Sequence, residues 1–260
     1  MRKRQGLSVG DCQEHRHNDL GEEAEETGKA LADPTIARVL EEFLAEQQAR
    51  LKPGTLKKYE HVVHLFQSCM NGYAYQTLDA NESKLFDRLY NAKGPAHREF
   101  CQVFGPDKIH GGVGEFLDYF MIRKVMCGKD LKQAAGTVMK KLGRWLGQKG
   151  YIDPDATADM AESGGEASKD LPAAEELANR LAEYADRTAP DCEEVIEDHF
   201  TIDRIEPGRL YLSALARNEN LAVPVPKDLA AACRVGWSLS GAVGKTAKGW
   251  RLQEVWNVYP

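Results

Sequence analysis

Lys132, Lys140, Lys141 and Arg144 alternate with Gln133, Thr137 and Gln148 along the stretch from Asp130 to Gly147. Leu131, Ala134, Ala135, Val138, Leu142, Trp145 and Leu146 recur between them at spacings of three, four, seven, eleven, fourteen and fifteen from the first. Such a stretch is a helix that buries one face and turns a row of cations outward. The chemistry open to that row is pairing with phosphate oxygens, which positions a polyanion without reading its sequence. A solvated lysine-rich face is the other reading of the same pattern.

Other groupings that suggest chemistry fail on spacing. Gly241-Ala-Val-Gly-Lys-Thr246 looks like a phosphate-binding loop. The Walker pattern needs Gly five positions before the Gly-Lys pair, and Leu239 stands there. A hairpin turn is the expected structure, with Lys245 and Lys248 free to touch a polyanion. His61 and His64 lie three apart with no carboxylate or thiol in evident reach, and Cys12, His15 and His17 lack a fourth ligand. No Ser/His/Asp or Cys/His grouping stands out. The expectation is therefore a protein without catalytic residues, metal or cofactor.

With 260 residues, 42% of them apolar, the chain suits one or two globular domains. No apolar run reaches the length needed to cross a bilayer. Polar residues follow Met1-Arg-Lys-Arg in place of the apolar stretch of a signal peptide. The six cysteines form no C-x-x-C, which fits reduced, buried thiols in a cytoplasm. The net charge of −6 conceals an alternation. Residues 1–49 balance to −5, 50–149 to +8, 150–199 to −12 and 200–260 to +3. A basic centre between acidic flanks fits a nucleic-acid surface.

The elements that must position these residues follow from periodicity and punctuation. Residues 1–32 are polar without an apolar face and read as a loosely attached tail. Asp33 and Pro34 suit the N-cap and first position of a helix carrying Ile36, Val39, Leu40, Phe43 and Leu44. After the break at Lys52-Pro53-Gly54, Leu56, Tyr59, Val62, Val63, Phe66, Cys69 and Met70 define a second helix, which Asn71-Gly72 should stop. Short helical pieces are expected over 82–91 and around Phe100 to Phe104, then a helix carrying Val113, Phe116, Leu117, Phe120, Met121 and Val125. Residues 153–198 read as an acidic linker, with Glu162-Ser163-Gly164-Gly165-Glu166 its most linker-like part and a bridging helix over 172–187. From 199 to 260 the period changes to short alternating runs with one small helix at 227–233. The fold class is accordingly α+β: an all-α helical bundle over 33–152 followed by a small C-terminal β-barrel, SH3-like or OB-like.

Two stretches carry a family likeness. Leu51 to Gly72, LKPGTLKKYEHVVHLFQSCMNG, and Gly128 to Ile152, GKDLKQAAGTVMKKLGRWLGQKGYI, make residues 34–152 similar to the core-binding (SAM-like N-terminal) domain of tyrosine recombinases, the phage-integrase family. That resemblance implies a bundle that grips duplex DNA. It implies phosphate contacts from Lys52, Thr55, Lys57 and Lys58 at one helix start and from Lys129, Lys132, Lys140, Lys141 and Arg144 on the other approach. Gln133 and Thr137 would be the candidates for base edges. The family's catalytic half has no counterpart: no His-x-x-Arg follows residue 152, and Tyr259 reads as a strand-end core residue. The sequence thus describes a non-catalytic DNA-binding protein with a recruiting barrel. The alternative is a protein-interaction adaptor using Trp237, Trp250, Trp256 and Tyr259 as a partner groove.

Overall fold

The computed structural model describes residues 31–215 and 220–260; most of the proposed tail, with Cys12, His15 and His17, lies outside them. Helix α1 (Ile36–Gln48) starts two residues later than its punctuation suggests. Thr35, not Asp33, is the N-cap, accepting from the Arg38 amide. Helix α2 (Pro53–Tyr73) places Pro53 in its first turn and runs straight through Asn71-Gly72, because Cys69 and Met70 keep its inner face buried to the end. Helix α3 (Ala80–Tyr90) begins with a capping box between Asp79 and Glu82. A short α4 (Phe100–Val103) follows. The apolar run beyond it is not a regular α-helix: Glu115–Phe120 is wound as a π-helix and passes into α5 (Met121–Arg123). Helix α6 (Lys129–Lys149) ends on Gly150 in the left-handed conformation that glycine favours. Phe43, Phe66, Phe100 and Phe116 are fully buried at the centre of this bundle, with Phe66 edge-on to Phe116 and Phe43 edge-on to Trp145.

The stretch expected to be a linker is one helix of 35 residues, α7 (Pro154–Thr188), capped by Asp153. Glu162–Glu166 lies well inside it. The glycines that suggest a linker are there for contact: α7 packs antiparallel along α6 so closely that the backbones meet. A Cβ on Gly136 would stand 2.6 Å from the Gly164 carbonyl oxygen, and one on Gly164 would stand 2.7 Å from that of Gly136. Gly143 and Gly147 fit over Met160 and Thr157 in the same seam. The buried residues of α7 up to Leu171 belong to the bundle core, and those from Ala174 to Ala185 belong to a second core under the sheet.

That sheet is antiparallel and five-stranded, with order β3-β2-β1-β4-β5. Its strands are β1 (Glu194–Glu206), β2 (Arg209–Ala214), β3 (Asn220–Pro224), β4 (Ser238–Thr246) and β5 (Gly249–Tyr259), with a short α8 (Lys227–Ala232) between β3 and β4. Bulges bend β1 near Ile202 and β5 at two points opposite β4. The sheet curls until β3 comes against β5, but no ladder forms between them, so it is not the closed barrel expected from the sequence. Strand β3 is only five residues long and ends in Pro224, which has no N–H to give, while α7 packs along β5. Leu177 and Leu181 of α7 share the inner core with Phe200, Ile202, Leu210, Leu212, Leu239 and Val243.

The α6–α7 seam makes two glycines respond oppositely to the same substitution. Gly136→Ala must push the helices apart and should cost roughly 1–3 kcal/mol, despite the better helix propensity of alanine. At Gly165 the nearest atom to a new Cβ is the flexible Lys140 Nζ, 3.1 Å away, so Gly165→Ala should gain roughly 0.5–1 kcal/mol. Urea denaturation of the two variants compares them directly.

Candidate functional site

The cations picked out by the sequence separate into two groups in the structure. One group is already paired. Lys132 is buried and forms an ion pair with Glu175 of α7. One turn earlier, Lys129 reaches Glu176 at 2.5 Å, and that bond holds the Glu176 carboxyl below its usual range. Lys58 of α2 pairs with Asp130 of α6 at 3.4 Å. Lys132 therefore faces the seam and not solvent. It shares the side of α6 that carries Gly136, Gly143 and Gly147, at spacings of four, eleven and fifteen, and that spacing is the sequence signal that identifies it.

The second group is free. Among the described residues, Lys52, Lys57, Lys140, Lys141 and Arg144 have no carboxylate partner. Lys52, Lys57, Lys141 and Arg144 are exposed, while half-buried Lys140 extends across α7 at Gly165. On α6, Asp130, Thr137, Lys141, Arg144 and Gln148 form a stripe at spacings of seven, eleven, fourteen and eighteen, with Gln133 beside it. Because Lys58 bonds Asp130, the start of α2 borders the head of this stripe. Lys141 and Arg144 thus share an exposed stripe of α6 whose head meets the start of α2, while Lys140 turns from it toward α7.

The polar residues nominated for base contact are less available than the cations. Thr137 donates its hydroxyl to the Gln133 carbonyl at 2.9 Å, leaving the Gln133 amide as the freer group. Thr55 is exposed at the start of α2, but its N–H and that of Leu56 already donate to the Lys52 carbonyl. Pro53 has no N–H at all. The helix start therefore contributes its lysines more than its backbone amides.

Lys149, absent from the sequence-based set, anchors α6 to α1. It donates to Glu42 at 2.8 Å and Glu46 at 2.6 Å, while Tyr151 donates to Glu42 and the Trp145 indole to Glu46. Those hydrogen bonds, the Lys149 ones foremost, depress the pKa of both carboxyls.

The remaining sequence candidates lie elsewhere. Gly241–Thr246 is not a turn but the body of β4, with Gly241 pressed on the Glu254 backbone; the turn is Ala247-Lys248. His61 and His64 are exposed on α2, and no metal-binding group of three ligands occurs among the described residues. Tyr259 ends β5 against the bundle core, its ring 5.4 Å from that of His199, to which Arg123 of α5 donates at 3.3 Å. Burial raises the thiol pKa of Cys69 to about 12 and that of Cys233 to about 11, which leaves both protonated and weakly nucleophilic at neutral pH. A cleft of about 360 Å³ beside α7 is lined by His110, Asp159, Glu162 and Glu166, and its carboxylates repel phosphate. Of the four aromatic residues proposed for a partner groove, Trp237 is buried, Trp250 and Tyr259 are half-buried, and Trp256 alone is exposed.

No family model, curated protein or solved structure matches this chain.

Lys132→Ala leaves the Glu175 carboxylate in the seam without its partner and should cost about 2–4 kcal/mol, whereas Lys141→Ala should stay within about 0.5 kcal/mol. Chemical denaturation reads both. Acid acts on the α1–α6 anchor with a definite sign. Since Glu42 and Glu46 are depressed from the usual 4.5, their contribution is complete above that value and is lost as pH falls through the lowered ones. Below pH 4.5 the melting temperature of a Glu42→Gln/Glu46→Gln variant should therefore fall less steeply than that of the wild type in a pH series.

Proposed function

We propose that the protein is a non-catalytic DNA-binding protein whose helical bundle rests on the backbone of duplex DNA. The observation that carries this reading is the placement of Lys141 and Arg144, free of carboxylates, on an exposed stripe of α6 whose head meets the start of α2 with Lys52 and Lys57. The resemblance of residues 34–152 to the core-binding domain of tyrosine recombinases supports it. Neither nominated helix projects an exposed aromatic residue along the stripe, which favours a duplex backbone over stacked single-stranded bases. Contacts of this kind fix position and leave sequence largely unread.

The sheet belongs to the same reading as a recruiting or second contact module. Its strand order, with α8 between β3 and β4, follows the layout of an OB-type sheet left open at one side. Arg204 over Tyr211, on the face of the sheet away from its core, supplies a paired cation and ring of the kind such a surface uses. Of the four aromatic residues an adaptor groove would use, only Trp256 is exposed, and its indole already donates to Glu254.

Fluorescence anisotropy of the full chain on duplexes of two unrelated sequences, each at several salt concentrations, tests the reading. Both duplexes should bind alike. With up to five phosphates neutralised, log K should fall with log salt at a slope of about −4, and Lys140→Glu/Arg144→Glu should flatten it by about 2. Absence of binding at low salt, or binding indifferent to this variant, would falsify the proposal.

A further inference from the structure

Among the described residues, α7 is the one helix that enters both cores, and it changes core at a proline. Leu171 is the last α7 residue in the bundle core, Ala174 is the first under the sheet, and Pro172 lies between them. Pro172 has no N–H to offer the carbonyl of Ser168, so the helix loses a rung where its support passes from one body to the other. What holds the bodies in register across that point is mainly ionic. Glu175 and Glu176, on the sheet side of the proline, reach back to Lys132 and Lys129 of the bundle. Asp170, on the bundle side, reaches forward at 2.5 Å to Arg234 in the segment before β4. Arg123 and His199 join α5 to β1, and Tyr259 adds one apolar contact.

We propose that α7 articulates at Pro172, that these crossed ion pairs are its latch, and that a phosphate polyanion taking Lys129 from Glu176 releases it. The last step rests on the DNA-binding reading above. Lys129 opens α6 one turn before Lys132, and both it and Glu176 are 53% exposed, so the pair can exchange partners without unfolding anything. Lys132 is 4% exposed and opens only as the articulation itself opens. Exposed ion pairs such as Lys129–Glu176 and Arg234–Asp170 can exchange partners with solvent, which suits relative motion across the joint. A polyanion favours the released state because it pairs with Lys129 only there.

Hydrogen exchange of the full chain, resolved by peptide, tests the latch without any ligand. In Glu175→Gln/Glu176→Gln, amides of residues 169–178 should exchange about three- to tenfold faster, with α7 before residue 168 and strand β4 unchanged. Pro172→Ala restores the missing rung and should slow the same amides. Unchanged exchange in the Glu175→Gln/Glu176→Gln variant overturns the latch. Adding a random 20-base-pair duplex to the wild type should accelerate residues 169–178 in the same way. Duplex that binds by anisotropy yet leaves these amides unmoved overturns the coupling and leaves the DNA-binding reading standing. Duplex that does not bind removes both, while the ligand-free comparison still decides the latch.

Discussion

Backbone meets backbone where α6 crosses α7, and the rest of the molecule depends on that contact. Gly136 and Gly164 allow an approach that a single methyl group would prevent. Brought this close, α7 covers one flank of α6 and leaves the cation stripe on the free flank. The same crossing carries Glu175 and Glu176 to Lys132 and Lys129, and projects the second half of α7 beyond the bundle as the floor of the sheet. Each glycine inside a helix costs about 1 kcal/mol relative to alanine, a loss offset by close packing along 35 residues of α7.

Charge is sorted by the same geometry. The acidic segment that follows the bundle is not a free chain sweeping over the basic face; it is a fixed helix. Only the carboxylates that α7 presents at the head of α6 meet lysines. Asp159, Glu162 and Glu166 point to the other side, where they line an acidic cleft. The positive balance of residues 50–149 is therefore partly consumed within the fold, at Lys58, Lys129, Lys132 and Lys149. What remains on α6 is narrower than the sequence implies: Lys141 and Arg144 on one exposed stripe, with Lys140 beside α7.

Regular periodicity made α1, α2 and α6 legible, since each buries one stripe and local punctuation roughly marks its ends. The alternating strands of the C-terminal region were legible for the same reason, although sheet closure was not. Closure depends on the length of β3, on Pro224 and on what packs beside β5, none of which a strand pattern encodes. The first half of α7 was hidden by composition, since glycine, serine and glutamate without strong apolar residues resemble a linker until a partner helix is present; its second half, over 172–187, was legible from Leu177, Ala178 and Leu181. Gly241 and Gly244 misled in a similar way: Gly241 lies against the Glu254 backbone, and Gly244 lies under the side chains of Cys192 and Gln253. Lys132 shows the limit for sites. Residue type placed it among phosphate ligands, and only its spacing from Gly136 and Gly143 reveals that it faces the seam.

Gly165 stands apart from the other glycines of the seam, and its position joins the packing to the surface. The three nearest atoms to where its Cβ would be all belong to the Lys140 side chain, with Cδ at 3.7 Å and Nζ at 3.1 Å. The missing side chain is thus replaced by the end of a lysine lying across α7, with its apolar part covered. A lysine so supported has fewer rotamers to lose when it meets a phosphate than one projecting freely from α6. The stability that alanine would add at 165 is therefore withheld at the one position where a gap in the seam orders a cation.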